Sequence, residues 1–270
     1  MFHRQIILAG LTLKGLFAGD PSCPEEDHGP SRQSSLVAVS SVGVLLVAGG
    51  CAPSVAHVAL DKGARPGLRK IALLDVSEPQ QRVVINIGGG ALAFGLIGGL
   101  AQAGANQSNT TEFTKQMKDR NLTLGAAMVA ALREDLPKYG YEVAYLSGVR
   151  PGMKSDRKEV DYGNVETDAD AILDVWFVAA GYLSTSSSLN YLPWVRVIAR
   201  LVSSQTRQPI YFQMLNYGAV LKAEGIVDLP ADPIYKYGTA GTLLGRADQA
   251  ADGLRGSIQP IAARIVEDLR

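Results

Sequence analysis

Three apolar segments in the second half of the chain constrain the fold more than any other feature. They are residues 170–182 (DAILDVWFVAAGY), 192–202 (LPWVRVIARLV) and 209–218 (PIYFQMLNYG). Only short polar stretches, STSSSLN and SSQTRQ, separate them. Short polar turns of this kind join antiparallel neighbours, so the three segments are predicted to form adjacent strands of one sheet.

The middle segment alternates between apolar and basic residues. Apolar side chains occupy one set of alternate positions, namely Val195, Val197, Ala199 and Leu201. Trp194, Arg196 and Arg200 fall on the other face of the same strand. Such a face could dock a protein or a glycan. Equally, a helix could cover it while the arginine side chains reach out to water, and the sequence favours neither alternative.

The remaining elements predict an α/β (α+β) fold. Residues 69–76 and 141–146 have the composition of short strands. Apolar spacings of three and four predict one helix near 122–137 and a second over 247–269, kinked near Pro260. We therefore expect one domain over 69–270, with a mixed or antiparallel sheet of about four to five strands and two main helices.

A glycine-rich insertion without charged residues, 83–105, interrupts this pattern. Residues 83–87 are predicted to form a strand. Beyond the glycines, Ala91, Gly95, Gly99 and Ala103 recur at intervals of four and would line one helix face. Small residues in such a stripe permit close packing of another backbone. The segment is therefore either a packed helix or loop of a soluble core, or a membrane-inserting or oligomerising element.

Few catalytic constellations are compatible with the composition. The histidines are His3, His28 and His57, and the cysteines are Cys23 and Cys51. Catalytic triads need a positioned imidazole and zinc sites draw on Cys and His, so we predict neither a metal site nor His- or Cys-based catalysis. Carboxylate chemistry stays open. Residues 147–167 carry several carboxylates but interleave them with basic residues, and are predicted to be an exposed loop.

Charge and motifs also argue against nucleic acids and cofactors. The 26 basic and 26 acidic side chains balance, so no basic excess indicates a nucleic-acid partner. Residues 88–93 (GGGALA) match a dinucleotide-binding pattern, but no acidic residue follows at the distance that ribose binding requires. We therefore predict no cofactor.

The N-terminal region indicates where in the cell the protein is located. Residues 36–50 are uncharged and mostly apolar, with the length of a signal-peptide core, and small residues precede Cys51. This stretch resembles the lipobox of bacterial lipoproteins. That resemblance implies cleavage between Gly50 and Cys51, acylation of Cys51, and a membrane anchor. The alternative is a buried helix that ends at a glycine-rich turn, with Cys51 as a small apolar residue.

The lipobox interpretation divides residues 1–68 into a signal-peptide region and a tether. Residues 1–50 would be the signal-peptide region, of which the first 30 or so are too acidic and turn-rich for such a peptide and indicate a start site placed too early. Residues 51–68 would be a lipid-anchored tether. Ala52 follows the cysteine where enteric sorting places Asp to retain a lipoprotein in the inner membrane, so the resemblance implies the outer membrane, facing the periplasm.

The domain itself resembles a group of envelope lipoproteins. ADAILDVWF followed by VRVIARLVSSQTRQPIYFQ is similar to the paired strands of the curli-secretion lipoprotein and the activator lipoproteins of penicillin-binding proteins. The lipobox and the lack of catalytic side chains together predict a non-enzymatic envelope lipoprotein with an assembly or adaptor role, with an envelope protein, a glycan or a second copy of the chain as partner. Two alternatives remain: a pore or secretion component that uses 83–105, and an envelope hydrolase that uses carboxylates.

Overall fold

A computed structural model describes residues 57–61, 63, 67–88, 95–153, 160–220 and 225–270, with side chains in the first helix from Gln102 onward. These residues belong to one compact unit, Ser54–Arg270. The strands are β1 (Lys70–Leu74), β2 (Val83–Asn86), β3 (Glu142–Leu146), β4 (Gly152–Met153), β5 (Val160–Asp161), β6 (Ala171–Ser184), β7 (Tyr191–Ser203), β8 (Pro209–Gly218) and β9 (Ile226–Leu229). The helices are α1 (Gly95–Asp119), α2 (Leu124–Asp135), α3 (Ala240–Gly245), α4 (Ala247–Arg255) and α5 (Ile258–Asp268).

The described strands build a seven-stranded mixed sheet, which confirms the predicted class. Its order is β3-β1-β6-β7-β8-β9, with β2 also paired to β6. Strands β6, β7 and β8 are antiparallel neighbours, as their alternation predicts, whereas β1 pairs in parallel with β3 and β6. The sheet has more strands than the four to five predicted, because the strand predicted at 83–87 joins it as β2, and β9, which no pattern indicated, pairs in parallel with β8.

One face of the sheet carries the main core. Val195, Val197 and Leu201 of β7 point to this side and are fully buried. Helices α2, α4 and α5 supply the opposing apolar side chains, among them Leu132, Leu254 and Ile261. We call this side the helix-covered face.

The helix predicted over 247–269 is interrupted once, where Gly256 and Ser257 separate α4 from α5. This break lies one turn before Pro260, close to the predicted kink, and Pro260 itself lies in the first turn of α5. A proline there costs no helical hydrogen bond, since first-turn amides have no partner within the helix. The short helix α3 precedes α4 and is separated from it by Arg246.

Side chains of α1 close the edge of β2 that lies away from β6. The amides of Asn86, Val84 and Arg82 donate to side-chain oxygens of Asn106, Thr110 and Thr114 at 3.0, 2.9 and 2.9 Å. Four helical residues rise about 6 Å and two strand residues about 6.8 Å, so the two spacings match. This side-chain ladder satisfies a strand edge that would otherwise present unpaired backbone groups.

The charged segment after β3 is only partly exposed, contrary to prediction. Tyr162, Val165 and Ala169 are buried and form a second apolar cluster with Ile172 and Val202 on the other face of the sheet. The prediction failed because these residues are scattered among charged neighbours and show no period. The described part of this segment therefore covers one end of the face opposite the helices.

Candidate functional site

The face opposite the helices carries a group of aromatic and basic residues. Alternate residues of β7 point to it, and directly paired residues of antiparallel strands share a face. Its members are Asp174 and Trp176 of β6, Trp194, Arg196, Ile198 and Arg200 of β7, and Phe212, Met214 and Asn216 of β8. No described helix packs on these side chains, so we call this surface the open face.

Arg200 lies between two aromatic rings at the centre of the open face. Its guanidinium carbon is 5.2 Å from the centroid of Trp176 and 5.1 Å from that of Phe212. It also donates a long hydrogen bond of 3.4 Å to the hydroxyl of Tyr162. The rings hold the cation by cation–π attraction, and its charge also acts on Asp174.

Arg196 is a nearly buried cation. Only 8% of the residue is exposed, and its guanidinium carbon is 5.5 Å from the ring centroid of Trp194. Its Nε and Nη2 atoms have no hydrogen-bond partner among the described residues. Burial lowers the pKa of Arg196 and the nearby Asp228 opposes that effect. Unsatisfied buried donors are costly, so an anion that reached them would gain charge-assisted hydrogen bonds.

The carboxylates and amides around the two arginines are already bonded. Asn216 accepts a hydrogen bond from Trp194 Nε1 at 2.9 Å and donates one to Asp228 at 2.8 Å. Tyr162 donates to Asp174 at 2.8 Å. Burial raises the pKa of Asp174 above its usual value, against the opposing effects of that hydrogen bond and of Arg200.

A crevice adjoins the open face where neighbouring strands differ in length. Strand β1 pairs with β6 only as far as Leu73 and Leu173, and β2 begins to pair at Gly181. The stretch of β6 between them therefore lacks a strand on that side, and a cavity of about 250 Å³ opens there. Asp75, Asp174 and Trp176 line it together with Arg150.

A second cavity, of about 520 Å³, lies on the other side of Asp75 and Arg150. Tyr145 donates a hydrogen bond of 2.9 Å to Asp75, and the Arg150 guanidinium is 3.9 Å from the same carboxylate. Glu78, also in the lining, accepts from the first amides of α2, including Leu124 at 3.0 Å. This helix terminus is therefore already neutralised by a carboxylate of the chain itself.

The segment before β1 is attached to the sheet beside the open face. The amide of Val58 donates to the carbonyl of Phe212 at 2.9 Å, and the amide of Phe212 donates back at 2.8 Å. This isolated antiparallel bridge places Val58 at the edge of β8.

The predicted site residues divide into those that the structure places and those that it does not. Gly50, Cys51 and Ala91 lie outside the described residues. Gly95 and Gly99 fall in α1, and Ala103 is exposed there, so the close-packing stripe stays a prediction. Across the described ranges no helix is long and apolar enough to cross a membrane, and no group of His, Cys, Asp or Glu side chains could hold a metal ion.

Trp194, Arg196 and Arg200 share one face as predicted, and the structure adds to this group Trp176, Phe212 and the crevice carboxylates. Sequence reasoning missed Phe212 and Trp176 because their proximity to Arg200 depends on cross-strand register. Their alternation within β6 and β8 was the only available signal.

No family model and no curated protein matches this sequence. Among solved structures, similarity is found to lipoprotein GNA1162 from Neisseria meningitidis, with a TM-score of 0.28 and 12% identity over 55% of this chain and 81% of that chain. Protein XCC0632 from Xanthomonas campestris, assigned to DUF330, gives a TM-score of 0.34 and 7% identity over 80% of this chain and 94% of that chain. The structural neighbours thus include a bacterial lipoprotein, but scores of this size assign neither a fold family nor a function.

Proposed function

We propose that this chain is a non-enzymatic lipoprotein of the bacterial outer membrane that is anchored through Cys51, faces the periplasm and acts as an adaptor or assembly factor. The observation that carries the proposal is the apolar run at 36–50, which ends in small residues directly before Cys51. Acylation of such a cysteine supplies enough apolar chain for stable attachment to a bilayer.

The open face supports the adaptor role. Tryptophan and arginine are enriched where proteins bind partners. Here Trp194, Arg196 and Arg200 lie together on a surface that no described helix covers. Their arrangement favours recognition of an anionic group.

Metabolic labelling with a fatty-acid probe tests the anchor. Wild type and Cys23→Ser should incorporate the label equally, because Cys23 lies before the cleavage position. Cys51→Ser should incorporate none. Equal labelling of all three chains, or label in none of them, would contradict the anchor.

Membrane fractionation tests the location. The wild-type chain should sediment with the outer membrane, and Ala52→Asp should shift it toward the inner membrane through the residue that follows the acylated cysteine. Ala52→Ser is the matched control and should sediment as wild type does. A wild-type chain in the inner membrane or in the soluble fraction would contradict the proposed location.

A second candidate function rests on the 250 Å³ crevice. Asp75 and Asp174 both line it, and burial raises the pKa of Asp174. Two carboxyl groups in different environments on one cavity are the arrangement used in acid–base hydrolysis. We infer that any hydrolase activity of this chain would use these two residues, with Trp176 as a platform for a sugar ring.

Release of soluble fragments from purified peptidoglycan tests this candidate. Activity that is present in wild type and in Asp161→Asn, but lost in Asp75→Asn and in Asp174→Asn, would support it. Asp161 is an exposed aspartate of β5 outside the crevice. No release by wild type, or equal release by all variants, would contradict it.

A further inference from the structure

Both tryptophans of this chain lie on the same face of the sheet. The whole sequence contains two, Trp176 and Trp194, and both belong to the open face. Phe212 lies beside Trp176, with Arg200 between the two rings. Amphipathic aromatic rings next to arginine are typical of the layer where lipid headgroups meet water.

The attachment of the N-terminal segment brings this surface close to the anchor. Cys51 precedes Val58 by seven residues, and a fully extended chain covers at most about 3.6 Å per residue. The acylated cysteine therefore lies within about 25 Å of Val58. Because Val58 is hydrogen-bonded to Phe212, an anchor at Cys51 would limit the distance between that end of the open face and the bilayer.

The charges of the open face suit an anionic surface. Asp174 accepts a hydrogen bond from Tyr162, and Asp228 is bonded to Asn216. Arg200 is only partly buried, whereas Arg196 is nearly buried. With these acidic groups already bonded, Arg200 is the cation left to attract a ligand, and arginine matches the geometry of phosphate.

Exposed apolar side chains at the margin of the open face fit the same environment. Val58, at the edge next to Phe212, is 39% exposed, and Met153, in the lining of the crevice, is 56% exposed. Such residues would be covered by the boundary between headgroups and acyl chains.

We propose that the open face rests on the anionic phospholipid headgroups of the membrane that carries the anchor. Arg200 meets lipid phosphates, while Trp176 and Phe212 lie in the interfacial layer. This inference rests on the lipid anchor of the proposed function, and it specifies which surface of the domain contacts the membrane. A protein or glycan on the same face is the competing outcome.

Tryptophan fluorescence tests the proposal directly, because both reporters lie on the surface in question. The full acylated chain is reconstituted into vesicles of phosphatidylethanolamine and phosphatidylglycerol, with lipids brominated near the glycerol end of the acyl chain. Tryptophan emission should fall as the brominated fraction rises. The single-tryptophan variants Trp176→Phe and Trp194→Phe should both be quenched.

Two failures are distinguishable in this experiment. A chain that sediments with the vesicles but keeps its emission has its open face turned away from lipid, which overturns the inference and leaves the anchor intact. Such a result favours a protein or glycan on that face. A chain that does not sediment with the vesicles overturns the anchor, and the inference with it.

Arg200→Gln tests the role of charge. In wild type, replacing phosphatidylglycerol by phosphatidylcholine should reduce the quenching, and Arg200→Gln should remove this dependence on anionic lipid. Arg255→Gln, on helix α4 of the other face, is the matched control and should behave as wild type does. Equal responses of the two variants would overturn the role of Arg200.

Discussion

The helix-covered face and the open face belong to the same strands but are filled by different chemistry. On β7, Val195, Val197 and Leu201 are fully buried under helices. Between them, Arg196 and Arg200 point the other way and lie against aromatic rings. One strand thus holds the fold together on one side and presents cations on the other. Substitutions on the first side should therefore change stability, and those on the second should mainly change recognition.

The largest effect is expected from truncating the helix-covered core. Leu254→Ala removes a fully buried side chain of α4 and leaves a cavity, so the free energy of unfolding should fall by about 3 kcal/mol. Urea denaturation followed by circular dichroism measures the change. Leu189→Ala, at a residue that is 68% exposed, is the control and should leave stability unchanged.

A smaller loss is expected from the side-chain ladder. Thr110→Val keeps the shape of the side chain but leaves the buried amide of Val84 without its acceptor. We expect the free energy of unfolding to fall by about 2 kcal/mol. Thr111→Val is the matched control, because Thr111 is exposed and bonds only within its own helix. Equal losses for the two variants would show that the ladder does not stabilise the fold.

Truncation of the open face should cost less again. Ile198 lies on β7 between the two arginines and is only partly buried. Ile198→Ala should therefore lower the free energy of unfolding by about 1 kcal/mol, in proportion to the smaller apolar area it loses. A loss as large as that of Leu254→Ala would mean that the open face is a second core, and would break the contrast between the two faces.

The smallest effect is a pH dependence at Asp174. Aspartate in an unfolded chain titrates near pH 4, and burial raises the pKa of Asp174 in the folded protein. The folded state therefore binds the proton more tightly, and this residue lowers stability as the pH rises from the unfolded pKa through the folded pKa. Asp174→Asn should be more stable than wild type at neutral pH, with the difference vanishing in acid.

Asp170 provides a control of opposite sign for that experiment. The amides of Arg69 and Lys70 donate to its carboxylate, each at 2.8 Å, and lower its pKa. Its stabilisation is present above the unfolded pKa and is lost as the pH falls. Asp170→Asn should therefore be less stable than wild type at neutral pH. Parallel stability curves for wild type and Asp174→Asn would contradict the assignment at Asp174.

Local patterns predicted the antiparallel half of the sheet well. The alternation in β7 identified both its buried residues and the shared face of Trp194, Arg196 and Arg200. The parallel pairings of β1 were not predictable in the same way, because β3 and β6 follow it at distances of tens of residues and carry no complementary local pattern. The crevice beside Asp174 was likewise hidden, since it arises from the unequal lengths of β1 and β6.

The side-chain ladder between α1 and β2 fixes the position of α1 along its own axis relative to the sheet. A slip of one residue along the helix would separate the amides of Arg82, Val84 and Asn86 from their acceptors together. Residues inserted between β2 and α1 would therefore lengthen that connection without shifting the helix. We expect variation in length to be tolerated at this point of the chain.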